Sequence, residues 1–112
     1  MLPKANRLTK ESDFDAVFKG GESIKHNSLL VKMAKNYLNK PRFGFVVSKK
    51  ISNKATIRNK IKRRLRKAVA DIIKDIKKPI DMVIITLPGI EKKEFLEIKE
   101  ILSSAFKKLK LI

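Results

Sequence analysis

The residues best suited to chemistry in this sequence form one dense run of cations. Seven of the ten residues from Arg58 to Lys67 are Lys or Arg, and the next acidic residue is Asp71. A guanidinium group can bind a phosphate through two hydrogen bonds, whereas an ammonium group acts as a point charge. Like charges repeated at helical spacing destabilise a helix, and an ordinary exposed helix mixes the two signs. The run therefore predicts a surface that binds the phosphates of a nucleic acid.

The apolar residues in and around this run keep helical phase. At ~100° per residue they fall within about a third of the circle; they are Ile57, Ile61, Leu65, Ala68, Val69, Ile72 and Ile76. The opposite side carries Asn59, Lys60, Arg63, Arg64, Lys67 and Lys74, and the border carries Arg58, Lys62 and Arg66. We expect one face to dock on the protein and the other to meet RNA. The alternatives are a merely solvated face, a calmodulin target and a membrane-surface helix, the last of which needs a free apolar face.

Groups that a self-sufficient enzyme would need are scarce. His26 is the only histidine and stands beside Asn27 in a predicted loop, so no histidine pair is available for general acid–base catalysis. The chain has no cysteine, which excludes disulfides and thiolate nucleophiles or ligands. Four glutamates near the C-terminus are interspersed with lysines; they are Glu91, Glu94, Glu97 and Glu100. This pattern fits the solvent-exposed face of an amphipathic helix better than a metal site. We expect no catalytic residue and no metal site in the protein.

The charge of the whole chain indicates a polyanionic partner. There are 28 Lys and Arg against 11 Asp and Glu, for a net charge of +17, and a polyanion would relieve the resulting self-repulsion. A basic protein without such a partner is the alternative. The N-terminus has no apolar leader, and no segment approaches the ~20 apolar residues of a membrane span. We therefore expect a cytoplasmic protein.

Periodicity and chain breakers predict the elements that position the cationic run. Thr9 is expected to cap a first helix with Phe14, Val17 and Phe18 on one stripe, ended by two glycines. Strands are predicted at 28–35, 42–48 and 80–87, a long helix from 56 to about 77, and an amphipathic helix at 95–109. The order α-β-β-α-β-α predicts an α+β fold, a single α/β sandwich domain over residues 1–112 with a small mixed sheet and three helices.

Four separate segments, the cationic run among them, resemble those of one protein family. In chain order they are Asn6-Arg7-Leu8 with Asp13-Phe14 and Val17-Phe18-Lys19, then Arg42, Gly44 and Val47-Ser48-Lys49-Lys50, then Arg58-Asn59-Lys60-Ile61-Lys62-Arg63 with Arg66, and finally residues 81–85. The third segment resembles the Arg-Asn-Arg signature helix of the bacterial ribonuclease P protein family. A single basic helix would be weak support, but four matches in order at the right separations are specific.

The resemblance implies a subunit of an RNA enzyme. Members of this family join a large catalytic RNA and assist the endonucleolytic removal of the 5′ leader from precursor tRNA. The RNA and its bound Mg²⁺ perform the hydrolysis, so the chain would be an enzyme subunit whose protein alone binds no cofactor. No membrane and no obligate protein partner is implied. The family's crossover through the signature helix is left-handed, although general chain rules favour the right-handed form.

The resemblance also implies two binding surfaces. The signature helix would contact the catalytic RNA through Arg58, Asn59, Lys60, Lys62, Arg63, Arg66 and Lys67. A cleft between the first helix and the sheet would hold the leader, with Phe14, Phe18, Val46, Ser48 and Lys50 in or beside it. Periodicity alone would make Phe14 and Phe18 core residues, whereas the resemblance predicts that both are partly exposed.

Three residues depart from the family pattern. Lys60 keeps the charge of the family's arginine but lacks the guanidinium group that can bind a phosphate through two hydrogen bonds. Leu87 stands near a position that is often basic in the family. Lys32 stands where relatives can carry an aromatic residue, so leader contacts there would be electrostatic.

Three other functions share some of these features. An unrelated RNA-binding module, such as a ribosomal protein, would have the same charge. A stand-alone nuclease would cut RNA without an RNA subunit. A sequence-specific DNA-binding protein would need base-reading residues, for which Asn59 alone is thin support.

Overall fold

The helices and strands of the protein are arranged around one sheet. The computed structural model describes residues 2–76 and 78–112. In chain order the elements are α1 (Glu11–Lys19), β1 (Glu22–His26), β2 (Leu29–Lys35), β3 (Arg42–Val46), α2 (Ala55–Ile72), β4 (Ile80–Thr86) and α3 (Phe95–Lys108). Short 3-10 turns lie at Lys4–Asn6, Ile73–Asp75 and Ile90–Lys92.

The four strands form a mixed sheet in the order β1-β2-β4-β3. Strand β2 pairs antiparallel with both β1 and β4, and β3 pairs parallel with β4. The predicted α+β fold with a small mixed sheet and three helices is confirmed. The parallel pair requires α2 to cross over from β3 to β4, and the left-handedness expected for that crossover stays a prediction.

Strand β1 was not predicted from the sequence. It is an edge strand whose residues are mostly exposed, and Ile24 is its one apolar residue, so it lacks the alternation that identifies a half-buried strand. Its backbone pairing with β2 holds it in place. His26, expected in a loop, is the last residue of β1, and the left-handed Asn27 (φ 55°) starts the turn into β2.

The two faces of the sheet carry different layers. Alternate residues of β2 and β4, such as Val31 and Ile84, face a core completed by α2 and α3. In that core the rings of Phe43 and Phe106 stack with centroids 6.1 Å apart. The opposite face packs Val83 against Val17 of α1. The sheet thus separates α1 from the other two helices, so the predicted cleft and the cationic helix lie on different sides.

Several predicted boundaries differ from the structure. Lys10, not Thr9, precedes α1, and no side chain caps that helix. Helix α2 ends at Ile72 and continues as a 3-10 turn, while the expected end near Lys77 lies outside the described residues. Strands β3 and β4 end at Val46 and Thr86, one or two residues earlier than predicted. These shifts leave every predicted site residue on or next to its expected element.

Candidate nucleic-acid interface

The apolar face of α2 fixes the cationic run on the protein. Ile61, Leu65, Ala68, Val69 and Ile72 are all buried, and the helix packs against α3 and β3. Burying each large aliphatic side chain contributes about 1.5–3 kcal/mol relative to leaving it exposed. The predicted docking face is therefore confirmed, and the side chains between these residues must point away from the core.

The outward face of α2 is a continuous cationic surface. Asn59, Lys60, Arg63 and Lys67 are exposed, whereas the border residues Arg58, Lys62 and Arg66 are half-buried, as expected for stems that lie on the protein. Across residues 2–76 and 78–112, none of the cations of this run has a carboxylate within salt-bridge distance. The ion pair that α2 does form joins Asp71 Oδ2 to Lys99 Nζ at 3.5 Å. The positive charge of the run is thus left for an external anion.

Two arginines of the run are held by backbone carbonyls. Arg58 Nη1 donates to the carbonyl of Ser52 at 2.9 Å, and Arg64 Nη1 donates to the carbonyl of Lys93 at 3.0 Å. Arg64 was expected to point outward, but this bond turns its guanidinium toward the start of α3. Sequence reasoning could not find this contact because it depends on how α3 docks beside α2. Both guanidinium groups are therefore pre-oriented by bonds that each use a single Nη1 group.

The second candidate surface lies between α1 and the sheet. The Phe14 ring covers Gly44 of β3 so closely that a Cβ added there would lie 2.5 Å from two ring atoms. Phe14 is half-buried, and Phe18, one turn further along, is 43% exposed. The expectation that both rings are partly exposed is confirmed. They stand at the surface between α1 and the sheet, where the cleft is predicted, instead of belonging wholly to the core.

The floor of this cleft is apolar and its edge is cationic. Val46 and Ile85 are paired across β3 and β4, and Leu30 pairs with Ile85 from the other side; all three are half-buried. Lys32 Nζ lies 5.7 Å from the centroid of the Phe18 ring. The structure therefore brings Phe14, Phe18 and Val46 to one face of the sheet. Lys32, at which an electrostatic leader contact was expected, lies on the same face, and Leu30 and Ile85 add to it without having been among the predicted site residues.

The remaining predicted cleft residues lie in the loop that follows β3. Ser48 and Lys50 are both exposed there, beyond Val46, the last residue of the strand. Val47, between Val46 and Ser48, is buried on the core side. Ser48 and Lys50 thus lie just beyond the strand that carries Val46, with exposed side chains.

A network of ion pairs joins α1 to the sheet beside the cleft. Arg42 Nε donates to Asp81 Oδ1 at 2.8 Å, Arg42 Nη2 contacts Asp81 Oδ2 at 2.6 Å, and Nη1 contacts Asp13 Oδ2 of α1 at 3.3 Å. The hydrogen bond to Asp81 is the main reason that the pKa of Arg42 is raised, against the opposing effect of burial. Asn36 also donates to Asp81 Oδ1, at 2.9 Å. Arg42, one of the residues that resemble the family, therefore holds the cleft together.

His26 and three of the four glutamates singled out above have structural partners. Glu91 accepts the backbone N–H of Gly89, and Glu94 and Glu97 form the capping box of α3. His26 Nδ1 lies 3.2 Å from Lys108 Nζ at the surface. Within the described ranges, no three His, Cys, Asp or Glu side chains are grouped closely enough to hold a metal ion. The same ranges contain no helix with the length and apolarity needed to cross a membrane.

Comparison with known protein families identifies the family to which this chain belongs. The family model described as Ribonuclease P matches residues 2–110. The chain belongs to the ribonuclease P protein family. It is 38% identical over 109 residues to the ribonuclease P protein component of Synechocystis sp., covering 93% of this chain and 88% of that protein. The resemblance carried by the signature helix is confirmed, and with it the classification as a ribonucleoprotein subunit of tRNA processing.

Other members agree in sequence and in structure. The ribonuclease P protein component of Brevibacillus brevis is 38% identical over 112 residues, which cover 99% of this chain and 88% of that one. The solved RNase P protein of Staphylococcus aureus superposes with a TM-score of 0.87 at 30% identity, covering 96% of this chain and 98% of that one. The RNase P protein of Thermotoga maritima gives 0.83 at 32% identity, with coverage of 91% and 96%. The fold described above is therefore the fold of the family.

Proposed function

We propose that the protein binds the catalytic RNA of ribonuclease P through α2 and the 5′ leader of precursor tRNA through the cleft under α1. In this way it assists endonucleolytic removal of the leader, which gives the mature 5′ end of the tRNA. The observation that carries the proposal is the cationic face of α2, which has no acidic partner within residues 2–76 and 78–112, while the opposite face of the helix is buried. Hydrolysis itself is assigned to the RNA subunit.

The RNA-subunit surface is assigned to the outward and border residues of α2. They are Arg58, Asn59, Lys60, Lys62, Arg63, Arg66 and Lys67. The exposed members can each meet a phosphate, and the half-buried ones add charge at the edges of the contact. Each phosphate that is neutralised releases condensed counterions, so affinity should fall steeply with salt. Lys60 contributes charge but no bidentate contact, because an ammonium group cannot bind a phosphate through two parallel hydrogen bonds as a guanidinium group does.

The leader surface is assigned to Phe14, Phe18, Val46, Ser48 and Lys50. A single strand is typically bound by a positive groove with aromatic or apolar surfaces against its bases. The half-exposed rings, the apolar floor and the loop after β3 supply these features. Lys32 over the ring of Phe18 adds a cation inside the cleft, which supports an electrostatic contact to the leader at that point.

The benefit of the protein should be greatest when Mg²⁺ is scarce. The cationic side chains of α2 reduce the repulsion between RNA phosphates, an effect for which Mg²⁺ would otherwise be needed. In the proposal Mg²⁺ is held mainly by RNA. We place this activity in the cytoplasm and require no further protein partner.

Reconstitution at low Mg²⁺ tests the proposal. Precursor tRNA, the RNA subunit from the same organism and the protein are combined, and cleavage is compared with and without the protein. We expect strong stimulation by the protein at low Mg²⁺ and little at high Mg²⁺. Absence of stimulation at any Mg²⁺ concentration would overturn the proposal, and so would metal-dependent cleavage by the protein without RNA.

A binding comparison tests the leader assignment separately. With the RNA subunit present, the affinity of the complex is measured for precursor tRNA and for mature tRNA. We expect tighter binding of the precursor, because only the precursor places a single strand in the cleft. Equal affinities would remove the leader from the assignment while leaving the RNA-subunit surface in place.

A further inference from the structure

A small cavity lies between α2 and the start of α3, apart from the leader cleft. It has a volume of about 240 Å³ and is lined by Lys60, Arg63, Arg64, Lys67 and Phe95. Four cationic side chains and one aromatic ring therefore converge on a single hollow. Sites for drug-sized ligands run to ~300–1,000 Å³, so this hollow suits a smaller group. Arg64 and Phe95 do not belong to the RNA-subunit surface as assigned above.

Two of the lining residues, Arg64 and Phe95, are held in place by contacts with the rest of the protein. The bond from Arg64 Nη1 to the carbonyl of Lys93, at 3.0 Å, fixes its guanidinium at the wall and leaves its other N–H groups unused by this bond. Phe95 is half-buried and packs against the core. Lys67 Nζ lies 5.0 Å from the centroid of the Phe95 ring. The ammonium group thus covers an aromatic face beside a fixed guanidinium.

Phosphate binding alone does not explain the aromatic wall. Cations on an exposed helix can meet a phosphate without a hollow, whereas an aromatic face beside cations is the arrangement that binds a base together with its phosphate. A cation–π contact at an exposed site is weaker than the stacking of a base on an aromatic ring. An incoming base can therefore replace the ammonium of Lys67 on Phe95, and the released ammonium can pair with the phosphate of the same nucleotide.

We propose that this hollow binds one unpaired nucleotide of the ribonuclease P RNA. Its base stacks on Phe95, and its phosphate is held by Arg64 and Lys67, with Lys60 and Arg63 at the rim. The inference rests on the proposed function, because it names the element of the RNA subunit that α2 and α3 meet together. It makes part of that contact a matter of stacking and shape in addition to charge.

A mononucleotide titration tests the pocket in the unaltered protein. The protein, carrying isotope-labelled phenylalanine, is titrated with adenosine 5′-monophosphate or inorganic phosphate while its NMR spectrum is followed. We expect the nucleotide to bind more tightly than phosphate and to shift the ring resonances of Phe95 through the ring current of the base. Equal affinities without a shift at Phe95 would show an oxyanion site only and would overturn the proposal.

Variants of Phe95 test the pocket in the complex with RNA. The affinity for the RNA subunit is measured for the wild type, F95Y, F95L, L96A and R63A. Leu96 is 69% exposed and neighbours Phe95, so L96A is the matched control and should bind like the wild type. We expect F95L to weaken binding about tenfold, because a base stack is lost, and F95Y to keep nearly full affinity because it keeps an aromatic face.

The outcomes separate this inference from the proposed function. If F95L binds RNA like the wild type while R63A binds weakly, the nucleotide pocket is refuted and the RNA-subunit surface stands. Equal weakening in F95Y and F95L would also refute it, because stacking would not be the cause. If the wild type itself does not bind the RNA subunit, the proposed function fails first. Thermal melts of F95Y and F95L identify a loss of fold, and the mononucleotide titration tests the pocket independently of both variants.

Discussion

Helix α2 presents a row of outward-facing cations, whereas the cleft under α1 combines an apolar sheet surface and two aromatic rings with the cation of Lys32. In the first, apolar residues are hidden and serve only to anchor the helix. In the second, the rings of Phe14 and Phe18 are left partly open. The sheet lies between the two surfaces. In the proposed function, the difference means that one small domain keeps a contact dominated by charge apart from one dominated by aromatic and apolar surface, so each can be altered without the other.

Removing charge from α2 should have the largest effect. We expect R63A/K67A to weaken binding of the RNA subunit about 100-fold at low salt. The slope of log affinity against log salt should fall by about one unit for each phosphate that the variant no longer neutralises. Filter binding over a salt series measures both quantities. The matched control K107A/K110A removes two exposed cations at the C-terminal end of α3 and just beyond it, and an equal loss in that variant would show that only net charge matters.

Removing an aromatic ring from the cleft should have the next largest effect. We expect F14L to reduce the preference for precursor over mature tRNA about tenfold, since base stacking is worth ~1–3 kcal/mol. Leucine keeps an apolar side chain next to Gly44 and so limits the loss of packing. RNA-subunit binding by F14L should match the wild type. An equal loss of both activities in F14L and R63A/K67A would refute two separate surfaces.

Gly44 tests whether the position of the Phe14 ring matters. We expect G44A to displace the ring, because the added Cβ would meet it at 2.5 Å, and to lower the free energy of unfolding by about 1 kcal/mol. Leader preference should fall a few-fold. Thermal melts and the tRNA comparison measure the two effects. In the double variant G44A/F14L the leucine relieves the clash, so an additive loss of stability would contradict this explanation.

The smallest effect is expected at Lys32, which distinguishes charge from stacking inside the cleft. We expect K32Y to keep leader preference within a few-fold, because an aromatic ring replaces the cation beside Phe18. The salt slope of that preference should fall by about one unit. Lys32→Met, which removes both charge and ring, is the control and should lower the preference itself. An unchanged salt slope in K32Y would show that Lys32 makes no contact with the leader.

The sequence predicted the position of a residue correctly where that position follows from the pattern of the helix or strand to which the residue belongs. Helix α2 could be predicted because five buried residues repeat at helical spacing against an almost uninterrupted cationic face. Strand β1 could not, because its stability comes from pairing with β2 and its own residues are mostly exposed. The ring of Phe14 over Gly44 and the bond from Arg64 to the Lys93 carbonyl depend on tertiary docking. Periodicity carries no signal for either contact.

The chain has no cysteine, so one cysteine can carry a probe to a chosen point of the surface. The most direct test of the account is to tether an iron chelate that produces hydroxyl radicals to N59C or to S48C and map the strand breaks in the assembled complex. We predict breaks in the RNA subunit from N59C and breaks in the leader of precursor tRNA from S48C. Breaks from N59C that fall only in the leader, or not in the RNA subunit at all, would contradict the account.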